Sequence, residues 1–279
     1  MRARLLAAAL TLAAGCAFAS GYDDFSAGVT ANARGEADRA IASFTSALAS
    51  GDLASGYLPS ARLGRARAYL AKGDCTRALA DLDEAVKLRP NSVSGRVMRA
   101  AAYSCLKNAD AATADFNAAL NLRPTARVYE NYGRFQWNQG LFAEAAANYA
   151  QTSQMSAGSD PHLPYKVLWY AMSAERAGTL DQAKLNDLVS NIDQSGWPRP
   201  ILDYYRNRLT ESRVYEKAAD SDATIANQQK CEADFYVGEW HLARKEPDAG
   251  MKLIHAAFGE CPHNFMEYYA ADRELKRQP

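Results

Sequence analysis

The feature of this sequence that most constrains its fold is a set of matching residues that recur at one spacing. Five pairs of similar residues lie 34 positions apart: Pro90 and Pro124, Tyr69 and Tyr103, Ala78 and Ala112, Leu82 and Phe116, and Ala85 and Ala119. Similarity at one fixed period of about 20 to 50 residues is typical of proteins built from stacked repeats. The spacing therefore predicts a repeat array.

The composition permits a buried core and excludes some classes of partner. The chain has 279 residues, of which 48% are hydrophobic and 23% are charged, so it can fold rather than remain disordered. Lys and Arg together number 32, and Asp and Glu also number 32. Non-specific nucleic-acid binding requires a basic surface that displaces counterions, and this balance argues against it.

The residue types at the matching positions fit a pair of packed helices. Ala78 and Ala85 are small, as the close approach of two helices requires, whereas Tyr69 and Leu82 are large enough to fill the space between them. Pro90 ends the second helix. This arrangement resembles the tetratricopeptide repeat (TPR). The resemblance implies an all-α, right-handed superhelix of hairpins, in which each hairpin covers the apolar residues left exposed by the one before it.

The same register extends in both directions. An earlier unit contains Gly35, Ala40, Phe44 and Ala47, a fourth contains Gly133, Gly140, Ala145 and Tyr149, and a last one contains Gly238, Gly250, Ala257 and Pro262. We expect TPR repeats over residues 20–157, irregular helical hairpins over 158–229, and a C-terminal TPR unit with a capping helix (265–277) over 230–279. In the irregular part, Thr179 with Gln182 predicts a capping box, and Thr210 predicts a second helix start.

The first 19 residues have the pattern of a signal peptide. Arg2 and Arg4 precede an uncharged apolar run over residues 5–14, and Ala17 and Ala19 stand where a signal peptidase requires small residues. We therefore expect a secreted or periplasmic protein. The alternative is a lipoprotein that is anchored to the membrane through an acylated Cys16.

Four cysteines remain after residue 19, an even number in a compartment where disulfides persist. The TPR register places Cys75 and Cys105 at neighbouring ends of two helices, and it places Cys231 and Cys261 at the open end of the last hairpin. It predicts the disulfides Cys75–Cys105 and Cys231–Cys261. The alternative is that all four are buried free thiols.

The C-terminal part has a narrower resemblance. The segments Trp197-Pro198, Phe235-Tyr236-Val237-Gly238-Glu239-Trp240 and His263-Asn264-Phe265-Met266-Glu267-Tyr268 are similar to those of the NlpI-type TPR lipoproteins of bacterial envelopes. The resemblance implies a non-enzymatic adaptor that holds peptidoglycan hydrolases and an envelope protease together, often as a homodimer. It implies no binding residue.

In TPR proteins the concave surface comes mainly from the first helix of each hairpin. Transferred to this register, that rule predicts a peptide groove, with aromatic and arginine side chains that are common in binding hot spots, lined by Phe25, Leu63, Arg67, Glu130, Arg134, Trp137, Phe235 and Glu239. For the apolar members the alternative is packing against a neighbouring helix, and for the charged members it is a solvated surface.

The chain lacks the sequence signatures of catalysis. No G-x-S-x-G, H-E-x-x-H or phosphate-loop motif occurs. Cys231, Cys261 and His263 could ligate a metal, but their spacing fits no zinc pattern. We predict no catalytic residue, no cofactor and no metal. The predicted function is a non-enzymatic adaptor that binds envelope proteins. The alternative is a membrane-anchored, self-associating assembly factor that regulates cell-wall hydrolases or proteases.

Overall fold

The computed structural model describes residues 20–190, 192 and 196–277, so the predicted signal peptide and Cys16 lie outside the described residues. Within them the chain forms fifteen α-helices, one short 3-10 helix and no β-strand. The predicted all-α fold class is confirmed. The chain divides into two compact units, one ending at Pro90 and the other beginning at Asn91, and the boundary falls inside the predicted TPR region.

The first unit consists of two helical hairpins. Consecutive helices pack against each other along this unit, with the 3-10 turn Ser55–Tyr57 between the hairpins: α1 (Gly21–Ala33), α2 (Ala37–Ala49), α3 (Leu58–Ala71) and α4 (Cys75–Leu88). Phe44 is buried at the centre of an apolar cluster that includes Ala40 and Ala47. The predicted small and large positions of this repeat therefore face the core.

The second unit contains the remaining helices, which follow one another as α5 (Val93–Cys105), α6 (Ala109–Leu122), α7 (Ala126–Asn138), α8 (Phe142–Met155), α9 (Leu163–Arg176), α10 (Gln182–Ser190), α11 (Arg199–Tyr205), α12 (Glu211–Ala218), α13 (Ala223–Ala243), α14 (Pro247–Glu260) and α15 (Met266–Leu275). Its largest apolar cluster extends from Trp137 to Ala271. Helix α9 contacts α8, α10, α11 and α13, so it lies at the centre of this unit.

Two polar features recur at the repeat spacing and fix the hairpins. The side chains of Asp74 and Asn108, which are 34 residues apart, accept hydrogen bonds from the first turns of α4 and α6. These caps satisfy backbone N–H groups that have no partner within the helix. The repeat thus encodes where its second helix begins.

The second recurring feature is a buried ion pair within each unit. Arg65 Nε lies 2.7 Å from Asp81 Oδ2, and Arg99 Nε lies 2.6 Å from Asp115 Oδ2. Both pairs are bidentate and both aspartates are buried. Because arginine and aspartate each recur after 34 residues, this pair is part of the repeat, although the sequence analysis did not identify it.

The irregular central region is helical, as expected, with one difference at a cap. Asp181, rather than Thr179, caps α10, because its carboxylate accepts from the backbone N–H groups of Ala183 at 2.8 Å and Lys184 at 3.2 Å. Thr210 occupies the N-cap position of α12 as predicted, but its side chain makes no hydrogen bond to the helix backbone.

The last hairpin differs from its expected extent. Helix α13 begins at Ala223, so Cys231 lies within the helix rather than at its start, and the predicted boundary at 229/230 falls inside α13. The predicted Cys231–Cys261 disulfide is present and joins α13 to the residue that follows α14. The Cys75–Cys105 disulfide, whose cysteines belong to different units, stays a prediction.

The contact between α13 and α14 depends on two glycines. A Cβ atom on Gly250 would lie 2.7 Å from Leu242 Cγ and 2.9 Å from the Gly238 carbonyl oxygen. Gly250 therefore stands where the other repeats have a small alanine because this pair of helices approaches too closely even for a methyl group.

We expect Gly250→Ala to lower the free energy of unfolding by about 1–3 kcal/mol, since the added methyl group must push the two helices apart. Gly259→Ala, on the same helix, is the matched control. A Cβ on Gly259 meets nothing within 4 Å. Removing a glycine from a helix should raise stability by about 0.5–1 kcal/mol. Urea unfolding of both variants measures the difference, and equal effects would contradict this account of the α13–α14 contact.

Candidate functional site

One face of α7 presents polar side chains outward, whereas another face, which includes Val128, Tyr132 and Phe135, is buried. Glu130, Arg134 and Asn138 follow one another at a spacing of four residues, which places them on one side of an α-helix. Tyr132 and Phe135 point elsewhere and pack against the second unit's smaller apolar cluster. Helix α7 therefore offers a row of accessible polar groups on a fixed support.

The C-terminal helix α15 is attached to the end of α7. The Arg277 guanidinium donates a hydrogen bond to the Trp137 carbonyl oxygen at 2.8 Å and lies over the Trp137 ring, 4.8 Å from its centroid. Arg277, which follows the end of α15, also pairs with Glu274 of that helix. These contacts hold α15 beside α7, as expected of a capping helix.

Two cavities that share Trp169 and Met266 lie between α7, α9 and α15. The first, here called the acidic cavity, has a volume of about 330 Å³ and is lined by Glu130, Tyr149, His162, Tyr165, Lys166, Trp169, Glu232, Phe265, Met266 and Glu267. The second, called the polar cavity, has a volume of about 360 Å³ and is lined by Arg134, Asn138, Trp169, Met266, Tyr269, Ala270, Asp272 and Arg273. Together they form the α7–α15 groove.

Glu232 of α13 lies at the wall of the acidic cavity and is only 6% exposed. Its carboxylate accepts hydrogen bonds from the Trp197 indole nitrogen at 2.6 Å and from the Tyr165 hydroxyl at 3.0 Å. Burial, reinforced by the charge of Glu267, raises the pKa of Glu232 to about 7. The group therefore exchanges its proton near neutral pH.

Glu267 of α15 is a second buried acid on the same cavity. It is 5% exposed, and its Oε1 accepts a hydrogen bond from the Tyr236 hydroxyl at 2.8 Å. Burial raises the pKa of Glu267 as well. Two neighbouring carboxyl groups with raised pKa values mark this cavity as a place where positive charge would be stabilised.

Some of the predicted groove residues line the two cavities, and others are buried in the core. Glu130 lines the acidic cavity and Arg134 the polar cavity. Trp137 and Phe235 are fully buried, so the prediction that they contact a ligand is wrong. Both belong to the large apolar cluster, and their rings meet each other with centroids 6.3 Å apart.

The prediction for Glu239 is also wrong, because this side chain is fully buried within an ion-pair network. Arg176 contacts Glu239 at 2.8 Å and Glu274 at 3.0 Å, so one guanidinium bridges α13 and α15. Burial raises the pKa of Glu239 to about 8 against the opposing charge of Arg176. Glu239 therefore stabilises the fold and does not contact a ligand.

Three predicted groove residues belong to the first unit. Phe25 is half-buried and packs against Phe44, with ring centroids 5.9 Å apart, and against Tyr57 at 5.3 Å. Leu63 is half-buried and Arg67 is exposed. Their role in binding stays a prediction.

The other half of the groove is formed by residues outside the predicted set. Tyr165 and Trp169 of α9, and Met266 and Tyr269 of α15, lie outside the regular repeat register. Glu232 belongs to α13, the first helix of the last unit. One signal was available: Glu232 and Asp234 alternate with Cys231, Ala233 and Phe235 in a stretch that continues as Tyr236-Val237-Gly238. A charged residue in such a setting indicates a special environment.

Comparisons with known proteins support the fold. No model of a known protein family matches the chain. A tetratricopeptide repeat protein from Parabacteroides merdae superposes with a TM-score of 0.55 and 12% identity, covering 91% of this chain and 98% of that one. The C-terminal part of a TPR repeat-containing protein from Cytophaga hutchinsonii gives a TM-score of 0.50 and 11% identity, covering 91% and 88%. This chain has a TPR fold.

None of the described helices is both long enough and apolar enough to span a membrane. Within the same residues, no three or more His, Cys, Asp or Glu side chains are grouped as a metal site requires. The Cys231 and Cys261 sulfurs, considered above as possible ligands, are bonded to each other.

We expect Arg176→Met to lower the free energy of unfolding by about 3–5 kcal/mol, because it leaves Glu239 and Glu274 buried with reduced compensation. Arg213→Met is the control, since Arg213 and its partner Glu216 are 64% and 56% exposed. That substitution should cost less than about 1 kcal/mol. Urea titrations of both variants measure these changes in the free energy of unfolding. A loss below about 1 kcal/mol for Arg176→Met would show that the stability of the fold does not depend on this ion-pair network.

We expect Glu232→Gln to gain stability relative to the parent protein as the pH rises from about 5 to about 8. In the folded chain the pKa of Glu232 rises from 4.5 to about 7, so its favourable contribution is complete below the unfolded pKa and is lost as the pH approaches 7. Glutamine has no proton to lose and escapes this change, which amounts to at most about 3 kcal/mol.

The measurement is chemical unfolding of both proteins at several pH values. Glu144→Gln, at an exposed position on α8, should follow the parent at every pH. Parallel curves for Glu232→Gln and the parent protein would contradict the raised pKa.

Proposed function

We propose that this chain is a non-enzymatic adaptor outside the cytoplasm that binds a segment of a partner protein in the α7–α15 groove. The observation that supports this proposal most strongly is the groove itself, in which three helices expose polar and aromatic side chains around two joined cavities. Clefts with apolar walls and a few converging polar groups are the usual form of a binding site.

The composition of the groove suits a polypeptide ligand. Tyr269 is 63% exposed although it is a large aromatic residue, and Arg134 and Arg273 are exposed beside it. Tyrosine and arginine are enriched among residues that dominate protein–protein affinity. The side chains on α7 and α15 could contact the two edges of one extended segment.

The location and the partner class rest on the sequence. A disulfide between Cys231 and Cys261 supports an oxidising compartment, which agrees with the predicted signal peptide. The resemblance to NlpI-type proteins suggests a peptidoglycan hydrolase or an envelope protease as the partner, and it suggests a homodimer. Membrane attachment would require acylation of Cys16.

Selection of binders from a random peptide library tests the groove, with the chain from residue 20 as bait. We expect Arg134→Ser and Tyr269→Ser to weaken the selected peptides about tenfold or more, because each removes an exposed contact from one edge of the groove. Ile225→Ser and Arg213→Ser, at exposed positions away from the groove, serve as controls and should leave affinity unchanged.

Fluorescence anisotropy of labelled peptides gives the affinities. Failure to select any peptide, or equal binding by groove and control variants, would refute the proposed site. If the protein instead forms dimers in which Arg134 and Tyr269 are protected, the groove is filled by a second copy, and the adaptor proposal fails for this surface.

A further inference from the structure

Buried carboxylates in this protein are paired with basic side chains, with two exceptions. Among the described residues seven Asp and Glu side chains are buried. Five of them contact an arginine or a lysine at 3.0 Å or less: Asp81, Asp115, Asp234, Glu239 and Glu274. Because an unpaired buried charge is costly, this pairing is the expected arrangement.

Glu232 and Glu267 are the exceptions, and both line the acidic cavity. In the part of the chain that the structure describes, no lysine, arginine or histidine forms an ion pair with either of them. Their hydrogen bonds come from neutral donors, namely Trp197, Tyr165 and Tyr236. Among the described residues, the two buried acids without a cationic partner are therefore those that adjoin an open cavity.

The other side chains of this cavity do not supply the missing positive charge. Lys166 is held by Asp160, with Nζ and Oδ2 2.6 Å apart, and by the Ser156 hydroxyl at 2.9 Å. Glu130 adds a further carboxylate on the α7 side. Apart from the three glutamates, Lys166 and His162, the lining residues are uncharged. The cavity therefore has an excess of acidic groups.

Aromatic rings also line the cavity, and two of their polar atoms form no hydrogen bond with the described residues. The Tyr149 and Trp169 rings stack with centroids 5.5 Å apart, and the two side chains are 1% and 3% exposed. The Tyr149 hydroxyl and the Trp169 indole nitrogen have no hydrogen-bond partner among the described residues. Aromatic faces attract organic cations, and the two unused donors could serve an acceptor on the same ligand.

We propose that the acidic cavity binds the ammonium or guanidinium group of a lysine or arginine side chain on the partner segment. This inference rests on the proposed function in one respect, namely that a peptide is the source of the cation. Its chemistry, an organic cation between carboxylates and aromatic rings, does not depend on that function. The cavity volume of about 330 Å³ is at the lower end of the range of about 300–1,000 Å³ that is typical of small-ligand sites.

The raised pKa values explain how two acids can lie together on this cavity. Without a ligand, Glu232 is largely neutral below its pKa of about 7, which reduces the repulsion between Glu232 and Glu267. A bound cation would favour the ionised carboxylates, so binding should release protons. The site would exchange a proton for a cationic side chain.

The test is an NMR titration of the chain from residue 20 with short glycine–serine peptides that carry one central residue. We expect the Trp169 indole N–H resonance to shift with the lysine and arginine peptides, and at least about tenfold weaker binding when norleucine replaces lysine. The double variant Glu232→Gln/Glu267→Gln should lose binding to the lysine peptide by a similar factor. Glu144→Gln is the control and should bind as the parent does.

Titration with n-butylamine distinguishes the two sources of the cation. Weaker binding of the amine than of the lysine peptide supports a peptide ligand, and equal binding assigns the site to small amines. Equal binding of lysine and norleucine peptides, or retained binding by the double variant, would overturn the inference. If library peptides without lysine or arginine bind the groove, the proposed function stands and this inference fails.

Binding should also strengthen as the pH rises from about 6 to about 8, because Glu232 ionises in this range while lysine stays charged. The groups that face Glu232 are Glu267, Tyr165, Trp197 and Tyr236, with His162 and Lys166 also on the cavity. Glu232→Gln should flatten the profile. A profile that is unchanged in Glu232→Gln would contradict the role of this carboxylate.

Discussion

The need to compensate charge inside packed helices is the constraint that organises this protein. The hairpins α3–α4 and α5–α6 each bury an aspartate, and an arginine of the hairpin's other helix meets it: Arg65 for Asp81 and Arg99 for Asp115. The same principle fixes the C-terminal helix, where Arg176 joins two buried glutamates. A buried charge without its partner is far more costly than no charge at all. Charge pairing therefore helps to specify which helices meet.

The repeat register could be predicted from the sequence because the physics of a TPR hairpin is local. A small residue must stand where two helices approach, and the caps and stops lie at fixed distances from it. Ala112 and Ala119 are fully buried, and Phe116 fills the space between helices, as their spacing predicted. The Arg–Asp pairs recur at the same spacing. They were overlooked because charged residues on a helix usually face solvent.

The groove could be predicted only in part, because half of it comes from helices without a repeat register. Glu130 and Arg134 were accessible to prediction, since they occupy fixed positions on a first helix. Trp137 was misassigned because α9 and α13 pack against the side of α7 that a regular repeat would leave open. The orientation of α15 depends on long-range pairs such as Arg277 with the Trp137 carbonyl, which are 140 positions apart in the sequence. No local pattern reveals such a contact.

On this account, Glu232 and Glu267 have no cationic partner among the described residues because a ligand supplies the cation. The most direct measurement is a carboxyl ¹³C NMR titration of Glu232, first in the free protein and then with saturating lysine peptide. We predict a pKa near 7 in the free protein and a value at least about one pH unit lower in the complex, since a neighbouring cation favours the carboxylate. An identical pKa in the two states would contradict the claim.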